Sequence, residues 1–90
     1  MKVQKSDGNM QEFNIEKIML VIGRVSDECK QSLTLGDIRA VSNAVQKILR
    51  ESYDEVVLYS ELRQIISNTL TDHGFDNIAI AFMRGRENGE

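Results

Sequence analysis

Apolar and polar positions change period once along the chain, and the change divides it into a short β region and a longer helical one. Residues 2–5 (KVQK) and 10–13 (MQEF) flank Ser6-Asp7-Gly8-Asn9. Asp-Gly is a strong hairpin signal, because both central residues of a type I′ turn need positive φ. The spacing predicts a β-hairpin, and since two strands alone are marginal in water, it must pack on helices. From Asn14, a good N-cap, the period becomes helical: Ile15, Ile18, Met19, Ile22, Val25 and Cys29 share one face through about residue 30. Thr34 followed by Asp37 resembles a capping box, and Leu35, Ile38, Val41, Val45, Ile48 and Leu49 continue a second stripe to about residue 52.

Residues 55–59 (EVVLY) are short and β-branched, which predicts a brief extended stretch leading to Ser60 as the N-cap of a third helix. Leu62, Ile65, Ile66, Thr69 and Leu70 form the buried face of that helix. Gly74 suits a left-handed position after it. Asp76 is expected to cap a fourth helix bearing Ile78, Ala79, Ala81, Phe82 and Met83, and the terminal GRENGE is expected to fray. No proline breaks these stretches. The pattern predicts an α+β fold, a short N-terminal β-hairpin packed on a four-helix bundle, as a single domain over residues 1–90.

Composition narrows the function classes. The chain is 41% hydrophobic and 28% charged, enough apolar content to fold. At 90 residues it is limited to one domain, since a chain of this size buries only about 60 to 65% of its unfolded surface. A net charge of -3 and a pI of about 5.1 argue against a broad surface for nucleic acid or anionic membrane, so any polyanion site must be local. The single cysteine, Cys29, excludes an internal disulfide and a cysteine-based zinc ribbon, and the lone His73 has no second imidazole to share a metal. No apolar run approaches the roughly 20 residues of a membrane span. The N-terminus lacks an apolar signal core, and the expected location is cytoplasmic.

The residues capable of catalysis are scattered singles. His73 reads as a helix-end cap and Cys29 as a core residue on the first stripe. The carboxylates interleave with basic residues as on a solvated surface, and neither GxxxxGK[ST] nor GxGxxG occurs. The expectation is a protein that is not an enzyme. One region breaks a local rule. Val3 and Lys5 share a strand face about 6.5 to 7 Å apart, an apolar wall beside a cation. With Asn14 as N-cap, Lys17 falls at N3, where the macrodipole disfavours a cation by about 0.3 to 1 kcal/mol. Lys17 is then either a solvated lysine whose small penalty is tolerated or one arm of an anion pocket at the helix N-terminus.

The segment VQKSDGNMQEFNIEKI resembles the opening of the ATP-cone domain, V-x-K-R-D-G-x-x-E-x-F-x-x-x-K-I, with Val3, Lys5, Asp7, Gly8, Phe13, Lys17 and Ile18 in register. Residues 57–62 are similar to that family's approach to its third helix and residues 78–86 to its closing helix, so the likeness covers nearly the whole chain. The resemblance implies a regulatory domain that binds ATP or dATP as an allosteric effector without hydrolysis, with Mg2+ able to accompany the phosphates. Such domains sit in ribonucleotide reductases, in a zinc-ribbon repressor of their genes and in some small kinases, so the implied partner is a reductase or another regulated protein, and self-association into a homo-oligomer is open. The missing cysteine quartet weighs against the repressor. Carried over by position, Val3 and Ile18 border the base and Lys5 and Lys17 contact phosphates. Tyr59, Arg63 and Arg86 lie near positions used from later helices, where Tyr59 could equally pack and the arginines be solvated.

Three positions depart from the pattern: Ser6 stands for the usual Arg, Gln11 for Glu, and Gly85 for an aromatic. A charge-assisted phosphate contact contributes about 1.5 to 3 kcal/mol, so the loss of that Arg weakens binding by roughly 10- to 100-fold. The departures admit an alternative, a degenerate cone kept as a protein–protein interaction module that no longer binds nucleotide.

Overall fold

The structure, a computed structural model, describes residues 1–84. Among these residues the chain order is β1 (Lys2–Gln4), β2 (Met10–Glu12), α1 (Ile15–Glu28), α2 (Leu35–Ser52), β3 (Val56–Leu58), α3 (Tyr59–Asp72) and α4 (Asp76–Arg84). The fold is α+β, but the hairpin is not a free pair. β3 adds to it in parallel, so that the sheet order is β2-β1-β3 with Val3 between Gln11 and Val57. Side chains alternate across a strand, and the shared register buries Val3 and Val57 together while Val56 and Leu58 face outward. This third strand gives the hairpin the lateral support that two strands lack.

The turn also differs from the type I′ expectation. Gly8 N–H donates to the Lys5 carbonyl at 2.9 Å, and Lys5 N–H to the Asn9 carbonyl at 2.8 Å. Gly8, at φ 89°, is the loop residue with positive φ, so Ser6-Asp7-Gly8 forms a three-residue loop closed by a glycine bulge. Asp7 braces it by accepting from the Asn9 backbone and side-chain amides at 2.9 and 3.0 Å. An Asx contact of this kind satisfies Asp7 without the left-handed conformation that type I′ would demand of it.

The first two helices start where local chemistry places them. Asn14 Oδ1 accepts from Glu16 N–H at 2.9 Å, and Thr34 and Asp37 exchange both bonds of a capping box. The next two starts correct the expectations for Ser60 and Asp76. β3 runs directly into α3, leaving Leu58 at the cap position and Ser60 inside the first turn, with Glu61 Oε1 accepting from Leu58 N–H at 3.4 Å. The second Glu61 oxygen accepts from the Tyr53 hydroxyl at 3.1 Å; burial and this bond both raise the phenol above its ordinary pKa. In α4 the Ala79 N–H donates to the Phe75 carbonyl at 3.0 Å, so Phe75 caps and Asp76 is the first helical residue.

Phe75 is already committed as the last residue of the α3 terminus. Its N–H donates to the Leu70 carbonyl, and Gly74 N–H donates to Thr71, both at 2.9 Å, with Gly74 at φ 86°. This is a Schellman ending. α1 ends the same way through Lys30, at φ 55°, and Gln31, whose N–H groups donate to Asp27 and Ser26. The two sites predict opposite substitution effects. Gly74→Ala should lower stability by about 1 kcal/mol, although nothing lies within 4 Å of the added Cβ, because the cost is conformational. Lys30→Gly should raise it by about 0.5 kcal/mol, the relief of strain exceeding the lost backbone entropy. Urea midpoints measure both, and a neutral Gly74→Ala would contradict the left-handed ending.

Apolar residues of β1, β3 and all four helices meet in one cluster, with Ile22, Val41, Val45, Leu70 and Ile78 fully enclosed. Buried hydroxyls mostly bond back along their own helix: Ser26 to the Gly23 carbonyl and Thr69 to Ile65. Ser42 Oγ is buried without such a bond, a local cost within the core. His73 sits at the end of α3 as expected, its Nδ1 2.9 Å from the Thr69 carbonyl. Cys29 is half-buried against the core, with Sγ 3.9 Å from the Asn77 carbonyl. The expected fraying of residues 85–90 lies outside the described residues.

Candidate functional site

A cleft of about 130 Å3 opens where β1, the β2–α1 junction and α3 meet. β1 contributes Val3 and, just past its end, Lys5. Gln11 and Glu12 follow from β2, Phe13 and Asn14 from the β2–α1 junction, and Lys17, Ile18 and Val21 from the first half of α1. α3 supplies Tyr59, Leu62, Arg63 and Ile66, and α4 closes the far wall with Phe82. Helical spacing explains the pairs: Ile18 and Val21, Leu62 and Ile66, and Tyr59 and Arg63 are each three or four apart and share a face. Val3, Ile18, Leu62, Ile66 and Phe82 are buried, so the floor is apolar.

Among the described residues three cations ring that floor, Lys5, Lys17 and Arg63. Lys5 Nζ lies 5.6 Å from the Tyr59 ring centroid, and the Arg63 guanidinium carbon lies 6.0 Å from Tyr59 and 5.1 Å from Phe82, within cation–π range. Arg63 Nη2 also donates to the carbonyls of Phe82 and Met83, at 2.9 and 3.3 Å. Lys17 occupies N3 of α1, its N–H donating to the Asn14 carbonyl at 3.1 Å. Among the described residues the carboxylate that lines the cleft is Glu12, tied to Lys2 across the hairpin at 2.7 Å. The hydrogen bond from Lys2, and then its charge, hold the Glu12 carboxyl below its ordinary pKa, so at neutral pH it is ionised and already compensated. The rim is therefore locally cationic on a chain of net charge -3. Cationic side chains beside a helix N-terminus and an apolar floor suit a ligand with one flat apolar part and one anionic part.

Of the nine residues singled out in the sequence, Val3, Lys5, Gln11, Lys17, Ile18, Tyr59 and Arg63 converge on this cleft. Ser6 does not line it; it sits exposed in the hairpin loop. Arg86, like Gly85, lies outside the described residues. Sequence reasoning passed over Leu62, Ile66 and Phe82 because they read as core stripe residues, and here the core and the cleft floor are the same surface; Phe13 was matched in the opening motif but given no site role. Leu62 and Phe82 also fall in the two later segments that resemble the family, 57–62 and 78–86, whereas Ile66 carried no such signal. Asn14 was read purely as a cap, a role it does fill.

Among the described residues no serine, cysteine or histidine lines the cleft. Among the described residues no group of three or more His, Cys, Asp or Glu side chains could hold a metal ion, and no helix is long and apolar enough to cross a membrane. Residues 1–88 match the family model described as the ATP cone domain. No curated protein matches the chain.

Proposed function

The chain belongs to the ATP cone domain family, and on that premise we propose that it is a regulatory domain that binds ATP or dATP in the cleft between β1, α1 and α3 without hydrolysing it. The observation that carries this reading is the convergence of Lys5, Lys17 and Arg63 around an apolar floor. Val3 and Ile18 offer the base an apolar wall, and Gln11 at the rim supplies both a donor and an acceptor. The phosphates lie toward Lys5, Lys17 and the N-terminus of α1, where a bound anion turns the unfavourable N3 position of Lys17 into a favourable one. Mg2+ would travel with the phosphates, since among the described residues the cleft offers Glu12 as its carboxylate and that group is engaged by Lys2. The same engagement leaves Glu12 poorly suited to activating a water, in keeping with a ligand that is held and not cleaved.

The regulated partner would be a ribonucleotide reductase or another protein that senses adenine nucleotide, in the cytoplasm, with self-association as a route for transmitting the signal. A second reading is favoured by Ser6 and Gln11: a cone kept as an interaction module without nucleotide.

Thermal unfolding with ATP, dATP, GTP and inorganic triphosphate separates the two. At a hundredfold excess over Kd a ligand adds about 2.7 kcal/mol, which in a domain of this size raises Tm on the order of 10 °C. Adenine nucleotides should produce that shift and triphosphate alone a smaller one. No shift with any adenine nucleotide at millimolar concentration would leave the interaction module as the surviving reading.

A further inference from the structure

β1 and β3 are parallel neighbours with Gln4 opposite Leu58, so the residues that follow, Lys5 and Tyr59, leave the sheet side by side. Both line the cleft. Lys5 Nζ stands 5.6 Å from the centroid of the Tyr59 ring, and the ring is partly buried against the core. Among the described residues no carboxylate pairs with Lys5. A carboxylate in the place of the ring would hold the ammonium but neutralise it, and an incoming anion would have to displace it. A π face attracts the cation through its quadrupole and leaves its charge and its three N–H donors to the anion.

We propose that Tyr59 is a positioning residue for the anionic end of the cleft: its ring holds the Lys5 ammonium in place before the ligand arrives and keeps it there while it contacts the phosphates. The inference rests on the cleft taking an anionic ligand, as in the nucleotide reading above. A lysine on its flexible four-carbon stem loses rotamer freedom when it is fixed. Where the ring has already fixed it, binding no longer bears that loss, and affinity rises with no new contact to the ligand. A cation–π contact at an exposed site corresponds to about two- to fivefold in an equilibrium constant. The sign depends on the contact surviving, because a ring that had to release Lys5 would oppose binding.

Calorimetric titration of the full chain with ATP and with inorganic triphosphate, across Tyr59→Leu, Lys5→Ala and the double variant, tests this. Leucine keeps an apolar side chain against the core and removes the π face. With Lys5 present, Tyr59→Leu should weaken both ligands by about two- to fivefold. In the Lys5→Ala background the same change should alter affinity by less than about twofold, whereas a tyrosine that only packs, or that touches the ligand itself, would cost the same in both backgrounds. Tyr59→Phe keeps the ring and should bind as the unmutated chain does. A second measurement needs no variant: ring current should shift the Lys5 side-chain methylene protons upfield in the free chain, and the shift should persist with saturating triphosphate. Equal losses in the two backgrounds, tighter binding by Tyr59→Leu, a phenylalanine variant as weak as the leucine one, or an upfield shift absent or lost on binding would overturn the proposal while the nucleotide reading stands. If the unmutated chain binds neither ATP nor triphosphate, both fall together.

Discussion

Leu70→Ala is expected to cost about 3 to 5 kcal/mol and to leave the chain marginally folded at 37 °C. Leu70 is fully enclosed on α3, the helix that packs against both α2 and α4. Truncating a buried leucine loses its transfer free energy and leaves a cavity, and measured losses run from roughly 2.7 to 5.0 kcal/mol. A 90-residue domain has about 5 to 13 kcal/mol in total, so one side chain removes a large share. The effect should reach the cleft, because Leu62 and Ile66 of the same helix form its floor. Urea denaturation gives the loss directly, and ligand binding should weaken in parallel wherever the unfolded fraction becomes appreciable. A loss below about 1 kcal/mol would mean that the site collapses around the smaller side chain, which a close-packed three-helix contact does not readily allow.

The double variant Lys5→Ala/Lys17→Ala is expected to abolish nucleotide binding without unfolding the protein. Each charge-assisted phosphate contact contributes about 1.5 to 3 kcal/mol, so each single change should weaken binding by roughly 10- to 100-fold. The free-state effects differ between the two sites. Lys17→Ala removes a cation from N3 of α1, which the dipole disfavours by about 0.3 to 1 kcal/mol, and installs the best helix former, so the free domain should be equally or more stable. Lys5→Ala gives up its contact with Tyr59, on the order of 0.5 kcal/mol. Calorimetric titration with ATP, beside unfolding of the free variants, measures both quantities. A clear loss of free-state stability in Lys17→Ala would mark that lysine as structural, and unchanged affinity in the double variant would remove the phosphates from this end of the cleft.

The features legible in the sequence are those whose energies are local. Asn14 and the Thr34–Asp37 pair cap their helices through bonds spanning two or three residues, and the apolar stripes of α1 and α2 are visible at helical spacing. Gly8 and Gly74 were marked by their residue type, and both adopt positive φ. Ser60 and Asp76 failed as caps for a shared reason. A cap position is set by where the preceding element ends: β3 ends at Leu58, two residues before Ser60, and the α3 terminus ends at Phe75, one residue before Asp76. The type I′ expectation failed at Asp7 because its side chain found a closer bond to Asn9 than the backbone conformation that the dipeptide suggests.

For the cleft the division is similar. Val3, Lys5, Lys17 and Ile18 stood out from one contiguous segment and its resemblance to a known pattern, while Leu62, Ile66 and Phe82 were indistinguishable from ordinary core. By itself the sequence determined the helices, the caps of the first two, the hairpin's location and the local rule broken at Lys17, because each depends on residues a turn or less apart. Only the tertiary structure decided that β3 pairs with β1, that Lys2 neutralises Glu12, and that Arg63 joins the cleft to the end of α4. Those contacts join residues brought together by closing the chain, and their geometry comes from the packing of the whole core and not from the preference of any one segment.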